Sequence, residues 1–254
     1  MKFQRKGKGP TLVFQHGFMS GAAYWQYQID YFSQFYDVIA TNLPGYSDHQ
    51  LTQPGSDDQV VDSIPGFVAY LHDLLDELEI EKCVLVGHSM GGMIAQEFAL
   101  SYPNRLNKVV LYATGPLGTM PGRFEPVSTS VARILKEGRE QTLKNTVASW
   151  FLKCEKDENY AEAMALAEKT PLNVMLGGYR AMEKWQAKDR LAQITTPTLV
   201  LWGDEDRSYR WPNPETLWNN IDDAALSVIQ GVAHNVHLEK PDLFNHILSD
   251  FIAS

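Results

Sequence analysis

The segment VLVGHSMGG (Val84–Gly92) sets Ser89 inside a G-x-S-x-G pattern, Gly87-His88-Ser89-Met90-Gly91. Alone the pattern is weak: with glycine at about 7% of residues and serine similar, a chain of this length meets it by chance roughly one time in twelve. Its setting says more. An apolar β-branched run, CVLV, precedes it, and a helical pattern of Met93, Ile94, Phe98 and Ala99 follows, so the serine falls on a sharp strand-to-helix turn. Such a turn strains its central residue, needs small neighbours, and aims the first N–H groups of the helix at an anion formed beside the serine. A serine hydroxyl is a poor nucleophile until a base takes its proton, and histidine suits that task near neutral pH. The imidazole in turn needs a carboxylate on its other nitrogen to fix its tautomer. Two late segments offer these groups. GDED (Gly203–Asp206) supplies Asp204, Glu205 and Asp206, and GVAHNVH (Gly231–His237) supplies His234 and His237.

The elements that must hold these groups follow from the hydrophobic pattern. Thr11–Gln15, Asp37–Thr41, Lys82–Gly87, Lys108–Ala113, Pro197–Gly203 and Ala225–Gln230 read as strands, and MKFQRK at the start as a further edge strand. Several lack in/out alternation, as expected of strands buried on both faces. Helical stretches alternate with them. Ile64, Phe67, Val68, Leu71, Leu74, Leu75 and Leu78 share one helix, with Asp62 or Ser63 as N-cap and Pro65 in the first turn. A last helix follows Pro241. The alternation predicts an α/β fold, a mostly parallel central sheet flanked by helices.

The rhythm breaks after the fourth predicted core strand. From Gly115 to about Arg190 the chain opens with a Gly/Pro-rich link, GPLGTMPG, and continues in helical segments without a convincing strand. This stretch reads as a helical insertion, which divides the chain into a core of residues 1–114 and 191–254 and an insertion of residues 115–190.

Taken in order, these segments resemble the α/β-hydrolases over nearly the whole chain. Strand, GHSMGG and helix form the family's nucleophile elbow; FQHGF (Phe14–Phe18) resembles its HG loop; LPGYS (Leu43–Ser47) is similar to its LPGxGxS loop, with Tyr46 and Ser47 in place of the usual ending. DRLAQITTPTLVLWGDED (Asp189–Asp206) and GVAHNVHLEKPDLF (Gly231–Phe244) resemble the segments that carry its acid and its histidine, although Ala233 replaces a frequent glycine. The resemblance implies a triad of Ser89, Asp206 and His234. The family's acid lies three residues after the strand-ending glycine, here Gly203, which selects Asp206 over Asp204. The family's H-x-x-x-x-E-x-P spacing selects His234, ahead of Glu239 and Pro241. It also implies an oxyanion hole from the backbone N–H groups of Phe18 and Met90, with His16 shaping the HG loop, and makes the insertion the family's cap. Met and Trp residues of that cap are candidates for an apolar pocket, with Trp150, Met175, Tyr179 and Met182 as the lining expected.

Other features bound the partners. The 254 residues carry a formal net charge of -9, and no basic patch suited to nucleic acid or an anionic membrane stands out. Cys83 and Cys154 lie far apart without a CxxC, as in a reducing compartment, and no apolar run reaches signal-peptide or membrane-span length, which makes a cytoplasmic location the expectation. His88 reads as a packed residue of the elbow. His234 and His237 lack the third ligand of a metal site, and the glycines of KGKGP complete no phosphate loop, so neither metal nor cofactor is expected. Serine at the nucleophile position argues against haloalkane dehalogenase and epoxide hydrolase chemistry, for which the family uses aspartate. The resemblance thus implies hydrolysis of a small carboxylic ester or lactone through an acyl-enzyme. Hydrolysis of a C–C bond beside a carbonyl, or a slow-turnover ligand receptor, are the alternatives.

Overall fold

The computed structural model describes residues 1–49, 51, 60–119 and 126–254. Seven strands form one sheet: β1 (Phe3–Lys6), β2 (Thr11–Gln15), β3 (Asp37–Thr41), β4 (Cys83–His88), β5 (Leu106–Tyr112), β6 (Thr198–Gly203) and β7 (Ala225–Ile229). Their order across the sheet is β1-β3-β2-β4-β5-β6-β7. Only β1 runs antiparallel, against β3; the other pairs are parallel. The inner strands β3, β4 and β6 are buried at every residue, which explains their continuous apolar runs. The edge strand β7 is only partly buried. At the opposite edge, Arg5 grips Asp37 with two hydrogen bonds of 2.9 and 2.8 Å, tying β1 to the start of β3.

Helices cover the sheet. They are α1 (Gln26–Phe32), α2 (Ile64–Glu77), α3 (Met90–Ser101), α8 (Pro212–Asn220), α9 (Val236–Glu239) and α10 (Pro241–Ala253). The choice of N-cap for α2 resolves in favour of Ser63, whose hydroxyl accepts from the Gly66 amide at 3.2 Å, while Asp62 faces Arg180 and Lys184. Among the described residues between β5 and β6 lie four further α-helices, α4 (Val127–Glu137), α5 (Arg139–Ser149), α6 (Tyr160–Glu168) and α7 (Leu172–Lys184). Part of the Gly115–Gly122 link lies outside the described residues. No helix among the described residues is long and apolar enough to cross a membrane.

The strand order positions the site. From β2 the chain moves outward to β3, then returns to place β4 on the other flank of β2. Ligands of open parallel sheets bind beyond the carboxyl ends of the strands where this direction reverses. Here the reversal falls between β2 and β4, paired in register from Leu12↔Val84 to Gln15↔Gly87. The residues just past those two ends are His16–Phe18 and Ser89.

Candidate active site

Ser89 occupies the turn between β4 and α3 with φ +57° and ψ −120°. For a residue with a side chain this backbone costs on the order of 1–3 kcal/mol, so its surroundings must impose it. Three hydrogen bonds do so. The Ser89 amide donates to the Tyr112 carbonyl on β5 at 2.9 Å, and the Ser89 carbonyl accepts from the Thr114 hydroxyl at 2.8 Å and the Gly92 amide at 2.9 Å. The glycine of the elbow has a steric reason: a Cβ at Gly91 would sit 2.4 Å from the Gln15 carbonyl oxygen and 2.6 Å from that of His16. Helix α3 therefore rests directly on the loop after β2.

That loop carries Phe18 past the serine. A Cβ at Gly17 would meet Ser89 Cβ at 2.8 Å and Ser89 Oγ at 3.3 Å, so the backbone just before Phe18 packs closely on the Ser89 side chain. Met90 opens α3, where no preceding turn supplies a carbonyl for its amide. The loop is braced by His16, whose Nδ1 donates to the Gly17 carbonyl at 2.7 Å while Nε2 accepts from the Leu43 amide at 3.0 Å. Burial pushes the His16 imidazole down to about 4, so it is neutral and holds this tautomer.

Asp206 and His234 come together at the ends of β6 and β7. His234 Nδ1 donates to Asp206 Oδ2 at 2.9 Å, and both side chains are almost fully buried. The second carboxylate oxygen, Oδ1, accepts from the amides of Ser208 at 2.7 Å and Tyr209 at 3.1 Å. With Nδ1 carrying the proton, Nε2 is left with its lone pair. The imidazole lies against Tyr209, stacked at 5.8 Å between centroids, and near Trp150 at 6.3 Å. Both rings line a cleft with Ser89.

The His234 backbone is fixed as firmly as its side chain. Its carbonyl accepts from His88 Nε2 at 3.1 Å and from the Tyr112 hydroxyl at 3.0 Å. Because a carbonyl can only accept, His88 carries its proton on Nε2; burial holds its pKa far below the ordinary histidine value. His237 Nδ1 bonds the Tyr112 hydroxyl at 3.0 Å, and burial lowers that imidazole to about 3. Both histidines thus act as neutral structural groups in one buried cluster. Glu239 gives the H-x-x-x-x-E spacing its physical meaning: its two oxygens accept from the Ala233 amide at 2.9 Å and the Leu152 amide at 2.7 Å.

The cleft over Ser89 opens to solvent at its mouth. Phe18, Trp150, Tyr179 and Met182 line it, joined by Ser130, Arg133, Thr146, Ser149, Ser208 and Tyr209. Met175, expected in the lining, is not there. It is fully buried nearer the start of α7, where its neighbours Val174 and Gly177 pack against Gly45 and Val60, so that end of the helix is closed off by the core. The polar residues of α4 and α5 were not legible from sequence, since exposed and cleft-facing serines look alike. Ser208 and Tyr209 had a signal: they lie two and three residues after Asp206, within reach of its carboxylate.

Comparison with known proteins agrees with this architecture. The family model described as alpha/beta hydrolase fold matches residues 10–241. The 2-hydroxy-6-oxo-6-phenylhexa-2,4-dienoate hydrolase of Comamonas testosteroni is 30% identical, over 98% of this chain and 90% of that protein. Its Burkholderia cepacia counterpart is 31% identical over 98% and 89%. Among solved structures, an esterase from Exiguobacterium antarcticum superposes with a TM-score of 0.90 at 20% identity, covering 99% of this chain and 95% of that one. The enol-lactonase from Burkholderia xenovorans LB400 gives 0.88 at 18% identity, covering 99% and 96%. At such identities these two superpositions establish likeness of fold alone. With its sheet, its elbow and a family match along most of its length, the chain belongs to the α/β-hydrolase fold family and is a hydrolase.

Proposed function

We propose that the chain is a serine hydrolase that cleaves a small carboxylic ester or lactone through an acyl-enzyme on Ser89. The observation that supports this reading is a strained serine lining the cleft whose lining rings Trp150 and Tyr209 pack on an imidazole with its Nδ1–H committed to a buried carboxylate. In this reading Ser89 Oγ attacks the carbonyl carbon while its proton passes to His234 Nε2. The Phe18 and Met90 amides donate to the oxyanion, each worth about 3–4 kcal/mol in comparable sites. Collapse expels the alkoxide, which takes the proton from His234. Water then attacks the acyl carbon, gives a proton to His234 and releases the acid, with Ser89 reprotonated. Asp206 holds the imidazole and stabilises its charged form. Residues 115–190 act as the cap over a core of residues 1–114 and 191–254, and supply the cleft wall through Trp150, Tyr179 and Met182. No cofactor enters this scheme.

Hydrolysis of a C–C bond beside a carbonyl is the second reading, favoured by the names of the relatives at 30–31% identity. The test is fluorophosphonate labelling with peptide mapping, followed by turnover of p-nitrophenyl esters, simple lactones and 2-hydroxy-6-oxo-6-phenylhexa-2,4-dienoate. Label on Ser89 with rapid ester or lactone turnover is the result expected. Label on Ser89 with turnover of the dienoate alone would move the activity to C–C cleavage. A folded sample unlabelled at Ser89 would overturn both readings.

A further inference from the structure

The lining of the cleft over Ser89 includes two unlike sets of residues. One is apolar and aromatic: Phe18 from the loop after β2, Tyr179 and Met182 from α7, and Trp150 at the end of α5. The Phe18 and Tyr179 rings pack at 4.7 Å between centroids. The other set is polar and comes from two cap helices. Ser130 and Arg133 stand three residues apart on α4, and Thr146 and Ser149 three apart on α5, the spacing that puts each pair on one helix face. Thr146 Oγ1 is buried and has no hydrogen-bond partner among the described residues. Ser149 spends its proton on the Thr146 carbonyl at 2.7 Å, which leaves its oxygen as an acceptor. Arg133 is the one cationic side chain among the described residues that line the cleft, in a chain of net charge -9.

Leaving a hydroxyl without a partner inside a protein is costly, and a guanidinium lining the same cleft offers strong donors to anything bound there. A guanidinium has five N–H donors in a planar fork, so it can keep a protein contact and still present a pair to a carboxylate. A lining that combines apolar rings with a cation and hydroxyls matches a substrate with a hydrocarbon body and an anionic end.

We propose that Arg133, with Thr146, forms an anion subsite, and that the substrate hydrolysed at Ser89 carries a carboxylate at the end remote from its scissile carbonyl. The inference rests on the serine hydrolase reading for its location and adds the substrate class. The carboxylate accepts from the Arg133 guanidinium and the Thr146 hydroxyl, while the hydrocarbon segment lies on Phe18, Tyr179 and Met182.

The test compares matched esters that differ only in the terminal charge: the mono-p-nitrophenyl esters of glutaric and adipic acid against p-nitrophenyl butyrate and hexanoate. The quantity read is the ratio of kcat/KM for anionic over neutral ester. Arg133→Gln is expected to lower that ratio about 10- to 100-fold, through KM more than kcat, and Thr146→Val to lower it by a smaller factor. Lys144→Gln is the control, since Lys144 pairs with Glu140 on the exposed face of α5 and its loss leaves the ratio unchanged. Circular dichroism and thermal melting establish that each variant is folded. Protection of Ser89 from fluorophosphonate by glutarate and adipate, weakened in Arg133→Gln, gives a reading that needs no turnover. A ratio unaffected by Arg133→Gln, with no carboxylate protection, overturns the subsite while leaving ester hydrolysis standing. Loss of Ser89 labelling in the unaltered protein instead overturns the hydrolase reading itself.

Discussion

Asp204 and Asp206 stand two residues apart after β6, yet only Asp206 reaches His234, at 2.9 Å; Asp204 turns outward and accepts from the Gly231 amide at 2.7 Å. Asp206 is buried and saturated by two further amides, whereas Asp204 is exposed and ties one loop to another. Asp206→Asn keeps the size but loses a second acceptor oxygen, and can hold the wrong histidine tautomer. It is expected to lower kcat by about 10⁴, as in a comparable triad. Asp204→Asn keeps an acceptor for Gly231 and is expected to stay within severalfold of the parent. Parallel ester kinetics on the two variants check this, and a reversed order would move the acid to Asp204.

Gly17 packs closely against Ser89, and in the proposed mechanism the next residue, Phe18, supplies an oxyanion-hole amide. A methyl group there would lie 2.8 Å from both the His88 carbonyl oxygen and Ser89 Cβ, so Gly17→Ala must push the loop away. The Phe18 amide moves with it. A shift near 1 Å at a reacting geometry costs on the order of 10²-fold, so kcat is expected to fall by about that factor. Fluorophosphonate labelling at Ser89 should slow in step with ester turnover. Undiminished turnover in a folded Gly17→Ala protein would remove Phe18 from the oxyanion hole.

Three buried histidines set a pH dependence of stability. Burial lowers His16 to about 4, His237 to about 3, and His88 far below its ordinary value. In the unfolded chain each titrates near 6.5, so between that pH and its folded value the unfolded state binds the extra proton. Stability is therefore complete above about pH 6.5 and is lost as pH falls from there toward 4. Each histidine contributes a slope of up to about 1.4 kcal/mol per pH unit in that window. Urea unfolding at pH 7.5, 6 and 5 measures the sum. His237→Gln should flatten the slope by one histidine's share, and an unchanged slope would mean that His237 is protonated in the folded protein.

Much of the core was legible because its strands are buried on both faces. CVLVGH, TLVFQ and DVIAT read as continuous apolar runs, and the observed strands differ from the expected ones mainly by a residue or two at their ends. Ser89 was legible for the same reason: the strand before it and the helix after it each left a pattern. The acid needed more than pattern, since Asp204 and Asp206 flank one glutamate and only the turn geometry separates their directions. The cleft lining was the least legible part. Met175 and Met182 are equivalent as residues on α7, but one packs under the helix and the other faces Ser89, a difference set by how α7 docks. Arg133 and Thr146 carried no signal, because a polar residue on a cap helix looks solvent-facing until its neighbours are known.

Glu239 joins the two halves of the site, and its replacement separates packing from catalysis. One oxygen accepts from Ala233, the residue before His234, the proposed base, and the other from Leu152, two residues after Trp150 of the cleft lining. Arg207, beside the acid, reinforces the same junction through the Phe151 carbonyl at 3.1 Å and the Leu152 carbonyl at 3.3 Å. Burial raises the Glu239 pKa, the two amide donors lower it, and the balance is upward. Glu239→Gln puts an NH₂ where one amide now donates, so one N–H is left facing a donor. The expected loss is about 1–3 kcal/mol of stability, read as a lower urea midpoint. Both Ala233 and Leu152 are displaced, so kcat should fall through the base and KM should rise through Trp150, together and for every ester tested. Trypsin digestion should also cut faster at Lys153 and Lys156, the basic residues just past the junction. A variant with the parent's kinetics and digestion rate would show that Arg207 alone holds this junction closed.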